Sequence, residues 1–409
     1  MRLWLGGYTA DMDGDGAGIG VLLAGDADTP SAGGPLSFAG TAVAVDSPSW
    51  LAQHPTLDVV YAALEGAGGV RAFTRTGPAT LAPIGAVQPA GEVTCHVVAS
   101  PDGRWLTATG YGDGTVTRYR LDDDGVPGDP VFGTAAVDPY ADSPAARLPD
   151  DLGVSAAQSA EIAAASADLA AAAAALRDAV GEEFAHLLPE RPTLPDGIES
   201  AVTFTDPEPI AAARTSHAHQ ARHVSGGLVA TTDLGFDLVR FWRDGQLQQE
   251  VVLPFGTGPR HTVWHPSGHL YVVTEYSCEV YVLAPDATGR WRIVSAAPVS
   301  PEASVRADFP GELSASADAG LLYAGVRGIN AIATLRVLGD GSRVESIATV
   351  ESHVDWPRHH VLVSDTLLIA GQRSNEVVSL AVDERTGIPG RRRYSTPAPT
   401  PSVLLPIFD

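Results

Sequence analysis

Apolar and polar residues alternate over short runs along most of the chain, and turn-forming residues separate the runs. Residues 47–55, 59–65 and 69–73 form three such runs in succession. Alternation with a period of two, bounded by Gly, Pro, Ser and Asp, predicts β-strands joined by tight turns. The same grouping of strands returns from Cys95, His217, Pro259, Pro310 and Pro357. The chain therefore contains an internal repeat.

The spacing of the repeat indicates its architecture. Equivalent positions in successive copies are Pro48, Thr94, Ser216, Pro259, Pro310, Pro357 and Pro401. They lie 46, 122, 43, 51, 47 and 44 residues apart. Five of these six intervals fit the roughly 40–50 residues of a four-stranded propeller blade. The sequence therefore predicts an all-β protein, a seven-bladed β-propeller that forms one domain over residues 1–409.

The seventh copy is divided between the two ends of the chain. Residues 400–405 supply only its opening strand, and the missing strands correspond to residues 3–8, 18–24 and 36–45. Pairing the C-terminal strand with the N-terminal one would close the ring and leave no open edge between the first and last blades. We expect this closure in the last blade.

The single long interval contains an insertion between two blades, at 136–214. Alanine, the best helix former, dominates residues 155–188. Apolar residues also recur there with helical period, at Ile162, Leu169, Leu176, Val180 and Phe184. We expect one helix, which packs on the propeller wall, covers the site as a lid or forms an oligomer contact.

Composition narrows the class of protein. With 26 Lys and Arg against 49 Asp and Glu, the formal net charge is −23, which disfavours nucleic acid and anionic membranes as partners. Two cysteines do not make a disulfide framework, and no apolar run approaches the roughly 18 residues of a membrane span. The first residues lack the apolar core of a signal peptide. We expect a cytoplasmic enzyme or binding protein.

Blade topology predicts where polar residues meet. The innermost strand leaves one face of the propeller and the second strand returns to it, so the start of one and the end of the other lie at the same mouth of the channel. The second-strand ends are Glu65, Tyr111, Asp233, Glu275, Arg327 and Gln372. The first-strand starts are Ser49, Cys95, His217, Arg260, Gly311, Arg358 and Ser402. These residues are expected to surround one ligand site.

Three of these residues are cations in a strongly acidic chain. Arg260, Arg327 and Arg358 predict a local site for a carboxylate or a phosphate, which guanidinium groups bind well. No metal or other cofactor is expected. The stretch 11–16 resembles the opening of a calcium loop, but Leu22 stands where that loop requires glutamate.

The chain resembles the seven-bladed lactonase family, which includes the bacterial propeller-type 6-phosphogluconolactonases and the fungal carboxymuconate lactonising enzymes. The matching stretches are GYT at 7–9, GIGV at 18–21, SPS at 47–49, SHAH at 216–219, GPRH at 258–261, VTE at 273–275, VRG at 326–328 and WPRH at 356–359. A proline usually precedes the histidine motif, and here Ser216 stands in its place.

The resemblance implies a catalytic set of His217, Arg260, Glu275 and Arg327. Lactone hydrolysis needs an activated water, a stabilised oxyanion and an acid for the leaving alkoxide. We expect Glu275 or His217 to be the base, while Arg260 and Arg327 hold the substrate and the oxyanion. The expected substrate-binding residues are Arg358, Glu65, Asp233, Gln372 and Tyr111. His219, His261 and His359 are expected to be structural.

The expected reaction is metal-independent hydrolysis of a sugar lactone, for example 6-phosphogluconolactone, so that the partner is a small anionic or sugar-lactone substrate. Two other interpretations stay open at this point. One is a lactone-forming cycloisomerase of the carboxymuconate type, in which Glu275 would donate a proton. The other is a propeller without catalytic activity that binds a ligand or a protein.

Overall fold

The computed structural model of the chain describes residues 1–141 and 213–407. Contacts divide the chain into two units, Met1–Pro139 with Arg214–Asp409, and Tyr140–Ala213. The first unit contains the strands given below. The helix expected at 155–188, like nearly all of the insertion expected at 136–214, lies outside the described residues.

The described strands form seven antiparallel sheets of four strands each, which are the blades. Blade 7 contains β1 (Arg2–Gly7), β2 (Ile19–Ala24), β3 (Leu36–Val43) and β28 (Pro401–Pro406). Blade 1 contains β4 (Pro48–Gln53), β5 (Val59–Leu64), β6 (Gly69–Gly77) and β7 (Thr80–Pro89), and blade 2 contains β8 (Thr94–Ala99), β9 (Trp105–Gly110), β10 (Val116–Leu121) and β11 (Pro127–Phe132). Blade 3 contains β12 (Ala218–Val224), β13 (Leu228–Asp233), β14 (Leu238–Arg243) and β15 (Gln246–Val252), and blade 4 contains β16 (Pro259–Trp264), β17 (Leu270–Thr274), β18 (Glu279–Pro285) and β19 (Trp291–Pro298). Blade 5 contains β20 (Phe309–Ala315), β21 (Leu321–Arg327), β22 (Ala331–Leu338) and β23 (Arg343–Glu351), and blade 6 contains β24 (Pro357–Val363), β25 (Thr366–Gly371), β26 (Glu376–Val382) and β27 (Pro389–Pro397).

Two 3-10 turns, Ala10–Met12 and Ser225–Gly227, are the helical elements of the described residues. None of the helical segments there is long and apolar enough to cross a membrane.

The position of a strand within its blade determines its residue pattern. The second strands β5 and β25 are buried at every residue, because both of their faces pack against neighbouring blades. The outermost strand β19 alternates between more buried and exposed residues, because one of its faces meets water. A period of two is therefore clear in outer strands, and it is replaced by continuous apolar runs further in.

The N-terminal and C-terminal strands close the ring. β28 pairs antiparallel with β1, with Trp4 opposite Leu405 and Leu5 opposite Leu404. Each innermost strand contacts the innermost strands of both neighbouring blades, and β28 contacts β4 to complete the circle. The predicted seven-bladed propeller with terminal strand closure is confirmed.

The apolar core consists of separate clusters between adjacent blades. Most of these clusters contain between 8 and 13 buried residues. Within residues 1–141 and 213–407, the cluster between blades 2 and 3 consists of Val116, Ala218 and Trp242, with Val229 and Leu247 packed against it. A cavity of about 350 Å³ lies beside that cluster. Among the described residues, this interface has the smallest buried cluster in the ring.

Each innermost strand carries a β-bulge near its start. The ladder between the first and second strands shifts register at this place in every blade. A bulge inserts an extra residue into one strand and redirects its side chains. The bulges lie at the mouth where the innermost strands begin and the second strands end, called here the upper mouth. They turn polar side chains toward the central channel.

Candidate active site

A cavity of about 380 Å³ lies at the upper mouth. Seven of the nine predicted site residues line it: Arg260, Arg327, Arg358, Glu65, Glu275, Tyr111 and Gln372. Other lining residues are Tyr8, Met12, Val93, Cys95 and His219. The topology therefore brings together residues from all seven blades.

Glu275 lies between two arginines. Its Oε2 atom is 2.7 Å from Arg327 Nη2 and 2.9 Å from Arg260 Nε. The contact with Arg260 is an ion pair at close distance whose angle does not suit a hydrogen bond, so that Arg260 Nε has no hydrogen-bond partner. Arg327 also donates from Nε to the Phe309 carbonyl at 2.7 Å. One carboxylate oxygen thus gathers two guanidinium groups and fixes their positions.

The charges in this cluster change one another's pKa. Burial acts to raise the pKa of Glu275, but the adjacent Arg327 and Arg260 guanidiniums outweigh it, and the pKa lies below its ordinary value. Burial, together with the positive charge of Arg327, lowers the pKa of Arg260 to about 10. Glu275 is therefore an ionised carboxylate of low basicity at neutral pH, and Arg260 stays a cation.

A second polar group, formed by residues of blades 6, 7 and 1, faces this cluster. Arg358 Nη2 donates to the Tyr8 hydroxyl at 2.6 Å, and Tyr8 donates to Glu65 Oε2 at 3.0 Å. Burial acts to lower the pKa of Arg358, but Tyr8 and Glu65 outweigh it and the pKa is raised. Arg358 is a permanent cation whose link to a carboxylate passes through a tyrosine hydroxyl.

Three lining residues have a buried polar atom without a hydrogen-bond partner in the described part of the chain. These atoms are His219 Nδ1, Arg260 Nη1 and Gln372 Oε1, in addition to the Arg260 Nε atom that is ion-paired with Glu275. Buried polar groups in native proteins are nearly always hydrogen-bonded, and leaving one unpaired costs about 1–3 kcal/mol. Three such atoms around one cavity indicate a ligand site.

His219 is a neutral imidazole in this cavity. Burial, and then the positive charge of Arg260, lower the pKa of His219 well below its ordinary value. Its ring makes edge contacts with Tyr111 and His261, at centroid distances of 6.1 and 5.1 Å. Beside it, burial raises the pKa of the Cys95 thiol to about 12, so that thiol is a poor nucleophile.

His217 and Asp233 are placed differently from the other predicted site residues. Neither is among the described residues that line the cavity. The His217 ring stacks on Tyr111 at 4.4 Å, with Nδ1 2.6 Å from the Tyr111 carbonyl and Nε2 3.0 Å from Thr215 Oγ1. Asp233 is buried and accepts hydrogen bonds from Ser216 Oγ, the His217 amide and the Phe236 amide. The His217 ring thus packs against Tyr111, and Asp233 stabilises the backbone before β12 and the turn that follows β13.

The register of blade 3 explains this difference. Pro259 begins β16 opposite Thr274, one residue before Glu275, whereas β12 begins at Ala218, opposite Asp233. Ala218, and not Ser216, is therefore the equivalent of Pro259. The residue after Ala218 is His219, which takes the place that the sequence spacing assigned to His217.

Tyr8 and His219 are lining residues with polar side chains that the residue pattern did not predict to be in the site. For His219 a signal was present, because either histidine of the SHAH stretch fits the repeat with a shift of two residues. Tyr8 follows the first strand of the chain, and the predicted closure could have located it. Among the described residues, no three His, Cys, Asp or Glu side chains are grouped so as to hold a metal ion.

The closed seven-bladed ring and the arginine-rich cavity at its upper mouth define an all-β propeller with a polar cavity at one end of its channel. The chain belongs to the family described as Lactonase, 7-bladed beta-propeller, whose family model matches residues 2–142 and 194–406.

The protein YwcC of Lactococcus lactis is 26% identical over 202 residues, which are 47% of this chain and 59% of YwcC. The chain thus spans less than two thirds of that curated relative. The structure of the Pseudomonas aeruginosa periplasmic gluconolactonase PpgL is similar, with 19% identity, coverage of 98% of both chains and a TM-score of 0.73. A Lactobacillus plantarum protein has 19% identity, coverage of 99% of this chain and 98% of its own, and a TM-score of 0.70. At these identities the two structures show a common fold.

Proposed function

We propose that the chain hydrolyses a lactone that carries an anionic group, in the cavity at the upper mouth. The observation that carries this proposal is the set of unpartnered atoms, His219 Nδ1, Arg260 Nη1 and Gln372 Oε1, around one cavity. They provide a proton acceptor, a charged donor and a neutral acceptor. Family membership supports the reaction class.

Formal charge around the cavity favours an anionic substrate. Three guanidinium groups face two carboxylates, Glu65 and Glu275, so the lining has an excess of one positive charge. Arg358 is the cation that has no carboxylate within ion-pair distance in the described chain, because Tyr8 separates it from Glu65. Arg358 is therefore assigned to the anionic group of the substrate, a carboxylate or a phosphate.

We assign the general base to His219. A base must be unprotonated at working pH and must have a free lone pair. His219 meets both conditions, whereas both ring nitrogens of His217 are engaged. Glu275 is ionised, but its Oε2 atom is ion-paired with both Arg260 and Arg327, whereas His219 Nδ1 has no partner in the described part of the chain.

In the proposed reaction His219 takes a proton from water, and the water oxygen bonds to the lactone carbonyl carbon. The negative charge that develops on the carbonyl oxygen is stabilised by Arg260 Nη1, which Glu275 holds in position. The ring carbon–oxygen bond then breaks, and the leaving alkoxide takes the proton back from His219. The product is a hydroxy acid, and the site returns to its starting protonation state without a metal ion or other cofactor.

The lactone-forming alternative is less well supported. It requires Glu275 to be protonated so that it can donate a proton to carbon. The adjacent guanidiniums of Arg327 and Arg260 keep the pKa of Glu275 low and therefore oppose protonation.

The test is a pH-stat assay over a panel of lactones that differ in charge: 6-phosphogluconolactone, glucono-δ-lactone and γ-butyrolactone. We expect the highest kcat/KM for the phosphorylated lactone.

Arg358→Gln should remove that preference while the slow turnover of neutral lactones persists, since a hydrogen bond to a charged group contributes about 1.5–3 kcal/mol. Arg385→Gln, on an exposed turn of blade 6, is the control. Wild-type protein that hydrolyses none of the lactones would overturn the proposal.

A further inference from the structure

A second cavity opens at the opposite end of the channel, called here the lower mouth, where the innermost strands end. Its volume is about 550 Å³, and it shares no lining residue with the upper cavity. His261 contacts His219 of the upper cavity at 5.1 Å and Trp50 of the lower cavity at 5.3 Å. Buried aromatic rings therefore separate the two cavities, and the lower cavity can be occupied independently.

The lower cavity contains a guanidinium group without a partner. Arg222, near the end of β12, makes no ion pair within 4.0 Å and no hydrogen bond from Nε in the described part of the chain. The negative charge of Glu312 acts to raise the pKa of Arg222. The Glu312 carboxylate, however, already accepts a hydrogen bond from His261 Nδ1 at 2.9 Å. Arg222 is half-buried, with its Nε atom buried and unpaired, and partial loss of water around a cation is costly unless an opposite charge replaces it. A half-buried arginine that lines a cavity without an ion-pair partner indicates an anionic ligand.

The remaining polar groups of the lower cavity are uncharged. His223 Nε2 is also buried without a partner, and burial lowers the pKa of His223 to about 4, so the imidazole is neutral. His360 Nε2 lies 2.9 Å from Ser314 Oγ. Neutral imidazoles and hydroxyls both donate and accept hydrogen bonds. They suit the hydroxyl groups of a ligand, and the Trp50 ring provides an apolar wall.

We propose that the lower mouth is a second ligand site, specific for a small monocarboxylate that carries hydroxyl groups. The carboxylate pairs with Arg222, and the hydroxyl groups meet His223, Ser314 and Glu312. A dianion such as phosphate is disfavoured, because the negative charge of Glu312 faces the same space as the single cation. The balance of charges therefore differs between the lower cavity, with one arginine and one carboxylate, and the upper cavity, where three arginines face two carboxylates.

The test uses sodium gluconate as the probe and hydrogen–deuterium exchange with mass spectrometry as the location-resolved readout. Gluconate at up to about 10 mM would reveal a Kd near 1 mM. We expect slower amide exchange at the ends of β12 and β20. Phosphate and glucose should produce no such protection there. This measurement involves no turnover, so its result is independent of the proposed lactone hydrolysis.

Arg222→Gln should weaken gluconate binding at the lower mouth roughly tenfold to a hundredfold, as expected for the loss of a charge-assisted hydrogen bond. Arg243→Gln, exposed at the end of β14, is the matched control and should bind as wild type does. Should Arg222→Gln fail to fold, Arg222→Lys keeps the charge, loses the planar fork and should still bind more weakly. Wild-type protein whose lower mouth is not protected by gluconate, or a folded Arg222 variant with unchanged protection, would overturn the proposal.

Discussion

The two histidines of the SHAH stretch have different surroundings although only Ala218 separates them. His217 lies before β12 and stacks on the far side of Tyr111, where both of its ring nitrogens have partners. His219 follows the start of the strand, enters the bulge and lines the cavity with Nδ1 free. Local backbone geometry thus decides which of two identical side chains is available for chemistry.

This difference gives a prediction for a pair of matched variants. His219→Asn should lower kcat by about 10²–10⁴, the usual contribution of a general base. His217→Asn keeps the lining intact and should lower kcat much less. The measurement is kcat by pH-stat on a lactone that wild-type protein hydrolyses. Equal losses in the two variants would refute the assignment of His219.

Glu275 should matter for stability as well as for activity. Glu275→Gln leaves two buried guanidiniums without their carboxylate, and removal of one partner from such a group costs about 3–5 kcal/mol. The folded-state pKa of Glu275 is depressed, so its contribution is present above its ordinary value of 4.5 and is lost as pH falls through the folded pKa.

The free energy of unfolding, from urea titrations at several pH values, should therefore differ most between wild type and Glu275→Gln at neutral pH. This difference in the free energy of unfolding should become smaller below about pH 4.5. Glu345→Gln, an exposed carboxylate on β23, is the control and should leave stability nearly unchanged. A difference in unfolding free energy that stays constant across this pH range would contradict the role assigned to the charge of Glu275.

At the scale of elements, the bulge at the start of every innermost strand is what builds the upper mouth. Cys95, Arg260, Arg358 and the other first-strand residues outside blade 3 lie within or beside these bulges. The second strands supply Glu65, Tyr111, Glu275, Arg327 and Gln372 from their ends. The bulges and the second-strand ends together place side chains from all the blades around one cavity.

The closing strand should be important for stability, and the small described cluster between blades 2 and 3 less so. Leu404 in β28 is buried in the cluster between blades 6 and 7, whereas Leu247 in β15 is half-buried in the smallest cluster. Leu404→Ala should cost about 2–5 kcal/mol. Leu247→Ala should cost much less, because fewer atoms lose contacts. Urea unfolding of both variants tests this, and equal losses would argue against closure by β28.

At the scale of the whole molecule, the channel contains a column of neutral imidazoles in a protein of formal charge −23. Burial lowers the pKa of His96, His219 and His261 well below the ordinary value of 6.5, and that of His359 to about 4. Trp50 contacts three of these rings. The imidazoles pack around one indole as uncharged groups.

Stability should therefore fall as pH decreases below about 6.5, well before most carboxylates titrate. The unfolded chain binds protons on these histidines that the folded chain does not, so each histidine contributes up to about 1.4 kcal/mol per pH unit. The urea midpoint should drop clearly between pH 7.5 and 5.5. His96→Gln should flatten this dependence, while His353→Gln, on a partly exposed turn, should not. A midpoint independent of pH would refute this prediction.

Repeat spacing and alternation in the sequence determined the seven blades, the closure by the two chain ends and most of the cavity lining. They could do so because blade length and strand polarity are local properties that recur in every copy. Glu65, Tyr111, Arg260, Glu275, Arg327, Arg358 and Gln372 follow from that repeat.

Only the tertiary structure decided the place of the two histidines, since the register of β12 is set by pairing with β13 and not by residue spacing. Ala218 pairs with Asp233, so His219 lines the cavity, whereas Asp233 is not among the described lining residues. The Tyr8 bridge to Arg358 likewise depends on contact between chain ends 350 residues apart. Such long-range pairings leave no periodic signal, because they arise from packing between blades.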